Sequence, residues 1–191
     1  MTILRNLLAL IGLLALLVGG YLYYRGIELM RDIDPQTPQL MTRLAQQSRE
    51  GPLVSAMVLR VPVTAGISAD QAVAAIRARA AKRQLKLWGQ WSLDGQIQSA
   101  LGTKIRYAQV LEFWDPNTAA ALLGHNAALA PYLPARIAVV EDAQGKLWVE
   151  CPDFNLLVHG GPAANAALQQ QAATLQATLT DIMQAGARGQ P

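Results

Sequence analysis

The chain has 191 residues, of which 52% are hydrophobic and 15% charged, with a formal net charge of +3. That length admits one compact domain with an appendage. The single cysteine excludes an intramolecular disulfide framework and any cysteine-only zinc or iron–sulfur site, and the small, dispersed positive charge excludes a nucleic-acid-binding surface.

The apolar excess is concentrated at the front. Leu7 to Tyr24 reads LLALIGLLALLVGGYLYY, eighteen residues without a charge. As a helix this run measures about 27 Å, close to the roughly 30 Å hydrocarbon core of a bilayer. Tyr21, Tyr23 and Tyr24 stand at one end, where amphipathic rings favour the membrane–water boundary, and Arg25 closes the run. A cleaved signal peptide needs small residues at its cut site, and LYYRGIELM offers bulky aromatics instead. A buried core helix of this length carries a polar stripe, and this one is apolar all round. The expectation is one uncleaved transmembrane helix anchoring residues 1–25. Arg5 and the amino terminus are nearly balanced by Arg25 and Arg31, so the positive-inside count is close to a tie. The short stub before Arg5 has the layout of a signal anchor that starts in the cytoplasm. This favours the bacterial inner membrane, crossed once, with the soluble part in the periplasm.

Residues 26–52 read as a connector. The cluster Asp34-Pro35-Gln36-Thr37-Pro38 signals a turn, and Leu40, Met41 and Leu44 signal a short helix over residues 39–48 that stops before Gly51-Pro52. The main domain is expected over 53–185. Val54 to Val61 reads as a strand. Ser68 with Gln71 three residues on is a capping box, opening a helix with Val73, Ile76 and Ala80 on one face. Leu85, Leu87, Gly89, Trp91 and Leu93 alternate as in a half-buried strand, followed by a helical turn over 94–101 that Gly102 breaks. Lys104 to Trp114 reads as another strand. Asp115-Pro116 places a favoured cap before the residue best tolerated at a first helical position, so a helix follows through Ala119 to Leu123. ARIAVVED and KLWVEC around Ala143-Gln144-Gly145 form a hairpin. Pro162 opens a last helix with Leu168, Leu175, Leu179 and Ile182 on one face, and the tail from Gly186, 186–191, is expected to fray. The order predicts an α+β fold: an antiparallel sheet with helices packed on one face, preceded by a single transmembrane helix.

RYAQVLEFWDPNTAAALL and APYLPARIAVVEDAQGKLWVE, spanning Ile105 to Val149, resemble the domain-of-unknown-function 302 family. The resemblance rests on Tyr107 entering a strand, Asp115-Pro116, the alanine-rich helix Ala119 to Leu123, and the step Leu133-Pro134-Ala135-Arg136 into a hairpin. It implies a compact α+β domain, a homodimer, and no established activity. Many members carry a cysteine before the Asn/Asp-Pro pair and another after the Leu-Pro step. Here Trp114 and Ala135 occupy those positions, so no redox or metal role carries over.

Candidate chemistry is sparse. Cys151 lies between Glu150 and Asp153, whose charge opposes thiolate formation, and is expected idle. His125, His159 and Cys151 lack metal-motif spacing, and neither cofactor nor metal is expected; the loop at His159-Gly160-Gly161 is the one best placed to open on a ligand. Arg136 has two readings: an internal ion pair with Glu112, or an anion-binding group at a pocket mouth. Trp114, with Trp88, Trp91 and Trp148, would line an apolar pocket or fill a core or dimer face. Arg136, Glu112, Trp114 and His159 are therefore the ligand-binding candidates. Three functions compete: a membrane-anchored domain binding a small ligand or protein partner, an accessory subunit of a larger respiratory or transport complex, and a haem- or metal-dependent redox protein. The third ranks last, because no nucleophile–base set is visible.

Overall fold

A computed structural model describes residues 2–161 and 163–191. Helix α1, Thr2–Met30, contains the apolar run. Its stretch Arg5–Met30 holds an eighteen-residue window with a mean hydropathy of 2.1 and is long and apolar enough, by length and composition, to cross a membrane. Arg25 ends the apolar run but not the helix. Its guanidinium pairs with Glu28 one turn on at 2.9 Å, and helical backbone continues to Met30.

The connector folds as helix α2, Thr37–Glu50, with Pro38 in its first turn, and then a single turn, α3, Leu53–Ala56. Strand β1 is Val58–Pro62. The strand expected from Val54 thus begins four residues late, because Pro52 starts a helical turn that consumes Leu53 to Ala56. Helix α4, Ala69–Lys82, opens on the capping box read from the sequence: Ser68 Oγ accepts from the Gln71 N–H, and the Gln71 side chain accepts from the Ser68 N–H. Strand β2, Lys86–Ser92, runs into helix α5, Leu93–Leu101, which stops at Gly102 in a left-handed conformation, φ 68°. Strand β3, Ala108–Trp114, starts only where Val140 lies opposite to pair with it, later than the expected Lys104. Helix α6, Pro116–His125, and a 3-10 segment, Ala127–Tyr132, lead to β4, Ala135–Glu141, and β5, Leu147–Pro152. Helix α7, Phe154–His159, precedes the long helix α8, Ala166–Arg188.

Pro162, expected to open the last helix, lies outside the described residues; α8 begins at Ala166, where Asn165 Oδ1 accepts from the Leu168 N–H. The tail is also corrected. Gly186 and Ala187 are buried inside α8, and the helix ends at Gly189, φ 62°. Gly186 acts as a close-packing residue and not as a breaker: a Cβ there would collide with the Ile76 side chain of α4.

The five strands form one antiparallel sheet in the order β1-β5-β4-β3-β2. Period-two alternation sends Leu111, Phe113, Ile137, Val139, Val149 and Cys151 to one face, where they pack with Val73 and Ile76 of α4 and Leu179, Ile182 and Met183 of α8. Burying each of these larger apolar side chains contributes roughly 1.5–3 kcal/mol against the cost of ordering the chain. A smaller cluster, Leu122, Leu129, Val158, Leu168 and Ala172, ties α6 and α7 to the start of α8. The fold is α+β with its packed helices on one sheet face. The opposite face presents Val110, Glu112, Arg136, Ala138, Trp148 and Glu150 at half-buried or exposed positions.

Candidate functional site

The α4–β2 turn, the β3–α6 junction and the middle of α8 enclose a cleft of about 800 Å³. The turn is built by hydrogen bonds from Gln84 N–H to Ala81 and from Leu85 N–H to Ala80, with Gln84 at φ 58°. This reversal drops Leu85 into the core and aims the chain into β2. Lys86 then lies opposite Trp114 in the ladder, and Leu87 opposite Phe113, but the next pair is Gly89 with Glu112. Trp88 is the extra residue of a β-bulge, a device that re-aims a side chain. Its indole is 62% exposed. The ring centroid lies 6.0 Å from that of Trp114 at an interplanar angle of 44°, so the two rings form a tilted wall of the cleft.

Most of the charge around this cleft is already answered. Arg83 pairs with Asp181 at 2.8 Å and Arg79 approaches the same carboxylate at 3.4 Å; hydrogen bonding to Arg83 holds Asp181 below the usual carboxylate range despite some desolvation. Asp115 caps α6, with one oxygen accepting from the Asn117 N–H at 3.1 Å and the other from the Thr118 hydroxyl. The Lys86 ammonium lies 5.8 Å from the Trp88 ring centroid. No carboxylate among the described residues comes within ion-pair distance of it. The remaining lining is uncharged and mixed: Gln84, Asn117, Gln170, Gln171 and Thr178 are polar, while Leu85, Pro116 and Leu175 are apolar.

The residues singled out from the sequence divide between this cleft and other places. Trp114 lines the cleft. Glu112 and Arg136 are direct cross-strand partners on the face of β3 that also carries Trp114, with Nε to Oε1 at 3.1 Å. The Trp91 indole N–H donates to the other Glu112 oxygen at 3.2 Å, passing over Gly89, where a Cβ would lie within 3.0 Å of both groups. The pair is not internal. The Arg136 side chain is 45% exposed, because strand alternation turns it away from the core that Ala135 and Ile137 enter. Arg136 is not in the cleft wall, and its charge is taken by Glu112. Trp148 is likewise elsewhere, under Arg60 and Lys146, with its N–H donating to Asp142 at 2.7 Å.

His159 does not open on a ligand. It is buried on α7, and its Nδ1 lies 2.8 Å from Asp34 Oδ2. Asp34 is 1% exposed and also accepts from the Gln36 N–H and the Gln169 amide. Burial pushes its pKa up, but the hydrogen bonds from His159 and Gln36, the field of the imidazole and the Gln169 amide outweigh it and hold the carboxyl below its ordinary 3.8. Ionised, this carboxylate only accepts, so the Nδ1 of His159 carries the proton between them. Around the pair, Asp34 N–H donates to the Gly161 carbonyl, Ala163 N–H to Asp32, and the Thr37 hydroxyl to the His159 carbonyl. Arg43 of α2 adds an ion pair to the wholly buried Asp153 side chain. Together they latch the connector onto the domain. Sequence reading named Trp88 as a pocket residue but missed the bulge that exposes it, and it missed this latch, for which the turn cluster at Asp34 was the local signal.

Cys151 is buried, and desolvation pushes its thiol up to about 12, with Asp153 adding to the rise and a Gln176 hydrogen bond opposing it. Among the described residues no group of three His, Cys, Asp or Glu is placed to hold a metal ion.

The family model described as "Domain of unknown function DUF302" matches residues 59–186. No curated protein matches the chain. A solved structure, the crystal structure of an uncharacterized conserved protein DUF302 from Bacillus stearothermophilus, is 20% identical, covering 68% of this chain and 97% of that one with a TM-score of 0.55. At that identity the likeness shows the fold alone.

Proposed function

The chain belongs to the DUF302 family, and from that premise we propose that it is a membrane-anchored binding domain, its soluble part in the periplasm, which takes a small molecule into the Trp88–Trp114 cleft. One observation carries the reading. A bulge in an edge strand lifts a large aromatic side chain out of the packing and leaves it 62% exposed above a concave surface of mixed polar and apolar lining. Such exposure forgoes the burial that stabilises a tryptophan elsewhere, and aromatic walls with a few polar groups are the usual make-up of ligand sites.

The anchor and the latch support the tethered part. Arg5–Met30 spans about 39 Å as a helix, longer than a hydrocarbon core, and Asp32 and Asp34 are bonded to the domain two to four residues after it ends. A tether this short keeps the cleft within a domain's width of the membrane.

The test is retention of small molecules. The full chain, purified in mild detergent and denatured, is expected to release a compound identified by mass spectrometry that a Trp88→Ala chain, prepared alike, lacks. Equal release from both chains, or none from either after incubation with the small-molecule fraction of a cell extract, contradicts the reading. Alkaline phosphatase fused after Pro191 tests the orientation: activity is expected, and an inactive, stable fusion opposes a periplasmic domain.

A further inference from the structure

The make-up of the cleft also narrows the chemistry of its ligand. Resting on the binding function proposed above, we infer that the ligand is a neutral saccharide.

The strongest attractions for an anion are spent within the protein. Arg83 is held by Asp181, and the first amides of α6 face the Asp115 carboxylate that caps them. Among the described residues of the cleft Lys86 is the one cation left, and it lies beside the Trp88 ring. An ionised ligand would face Asp115 as well as Lys86. A purely apolar ligand fits no better, because it would desolvate the side chains of Gln84, Asn117, Gln170, Gln171 and Thr178 without answering them, each such group costing about 1–3 kcal/mol.

These same groups suit a sugar. An amide offers both a donor and an acceptor, and a hydroxyl does so too, so amide and hydroxyl side chains pair with vicinal sugar hydroxyls in either sense. The axial C–H groups of a pyranose form an apolar face that is slightly positive, and it lies against the negative face of an indole. Two indoles at 44° offer such platforms at different tilts, as successive rings of a short glycan would present themselves. The part-open shape of the cleft agrees with ligands that keep some of their hydroxyls in water.

The full chain is prepared in lauryldimethylamine oxide, since alkyl glycoside detergents would occupy the site. Tryptophan fluorescence is followed while a panel of neutral saccharides, glucose, N-acetylglucosamine, maltotriose and chitotriose, is added. At least one is expected to give a saturable change whose association constant falls about tenfold or more in Trp88→Ala and in Gln171→Ala, and is unchanged in Trp148→Phe. Circular dichroism checks that each variant is folded. Benzoate and the small-molecule fraction of a cell extract are titrated in parallel. If one of these binds in a Trp88-dependent way and no saccharide does, the saccharide assignment fails while the cleft stands. If nothing binds, both fail. Saccharide binding that survives Trp88→Ala overturns the assignment of this cleft.

Discussion

His159 and Asp34, 125 residues apart in the chain, share a buried hydrogen bond of 2.8 Å. One lies on α7 and the other in the connector, so the bond joins the segment after the anchor to the domain. His159→Ala leaves the Asp34 carboxylate buried with fewer donors and should cost about 1.5–3 kcal/mol, the range for a hydrogen bond to a charged group. The loss is read as a lower denaturation midpoint and as faster proteolysis between residues 31 and 52. Because the folded pKa of Asp34 is lowered, its stabilisation is complete above the unfolded value near 3.9 and is lost as pH falls through the folded value. Connector release should therefore appear on the acid side, below about pH 4, and vanish from the pH profile of Asp34→Asn.

Arg136 and Glu112 form the opposite kind of pair. With the arginine nearly half exposed, Arg136→Ala should lower stability by less than about 1 kcal/mol. Denaturant titration measures this, and the effect should shrink further in high salt.

The thiol of Cys151 is expected to ignore thiol reagents at neutral pH in the folded chain and to react fully once the chain is unfolded. Burial and a pKa near 12 leave almost no thiolate to attack. Labelling followed by mass spectrometry distinguishes the two states.

Gly186 marks the crossing of α8 over α4. Gly186→Ala gains helix propensity but forces a methyl group against Ile76, and overpacking of this kind costs about 1–3 kcal/mol. Thermal unfolding should show a net loss, and with Ile76→Ala the two losses should add to less than their separate sum.

What the sequence disclosed follows from the range over which each signal acts. The capping box at Ser68 and Gln71 and the cap at Asp115 are complete within four residues, and both stand where they were read. Glu112 opposite Arg136 was legible because the strand alternation of each is regular. The placement of Trp88 on a bulge was not, since a bulge is an interruption of the period by which a strand is recognised. Asp34 and His159 were each seen, one in a turn and one in a loop, but nothing local announces a partner more than a hundred residues away. Gly186 misled for a related reason. A glycine late in a helix looks like its end, and only the neighbouring helix shows that it is a contact.

The four tryptophans supply the most direct test of the cleft. Each indole N–H gives its own resonance in isotope-labelled protein, so the full chain can be titrated with the small molecule it retains or with a saccharide that binds it. The signals of Trp88 and Trp114 should shift together and saturate at one concentration, while those of Trp148, bonded to Asp142, and Trp91, bonded to Glu112, hold still. Shifts confined to Trp148 and Trp91 would move the site to the open face of the sheet and contradict the account.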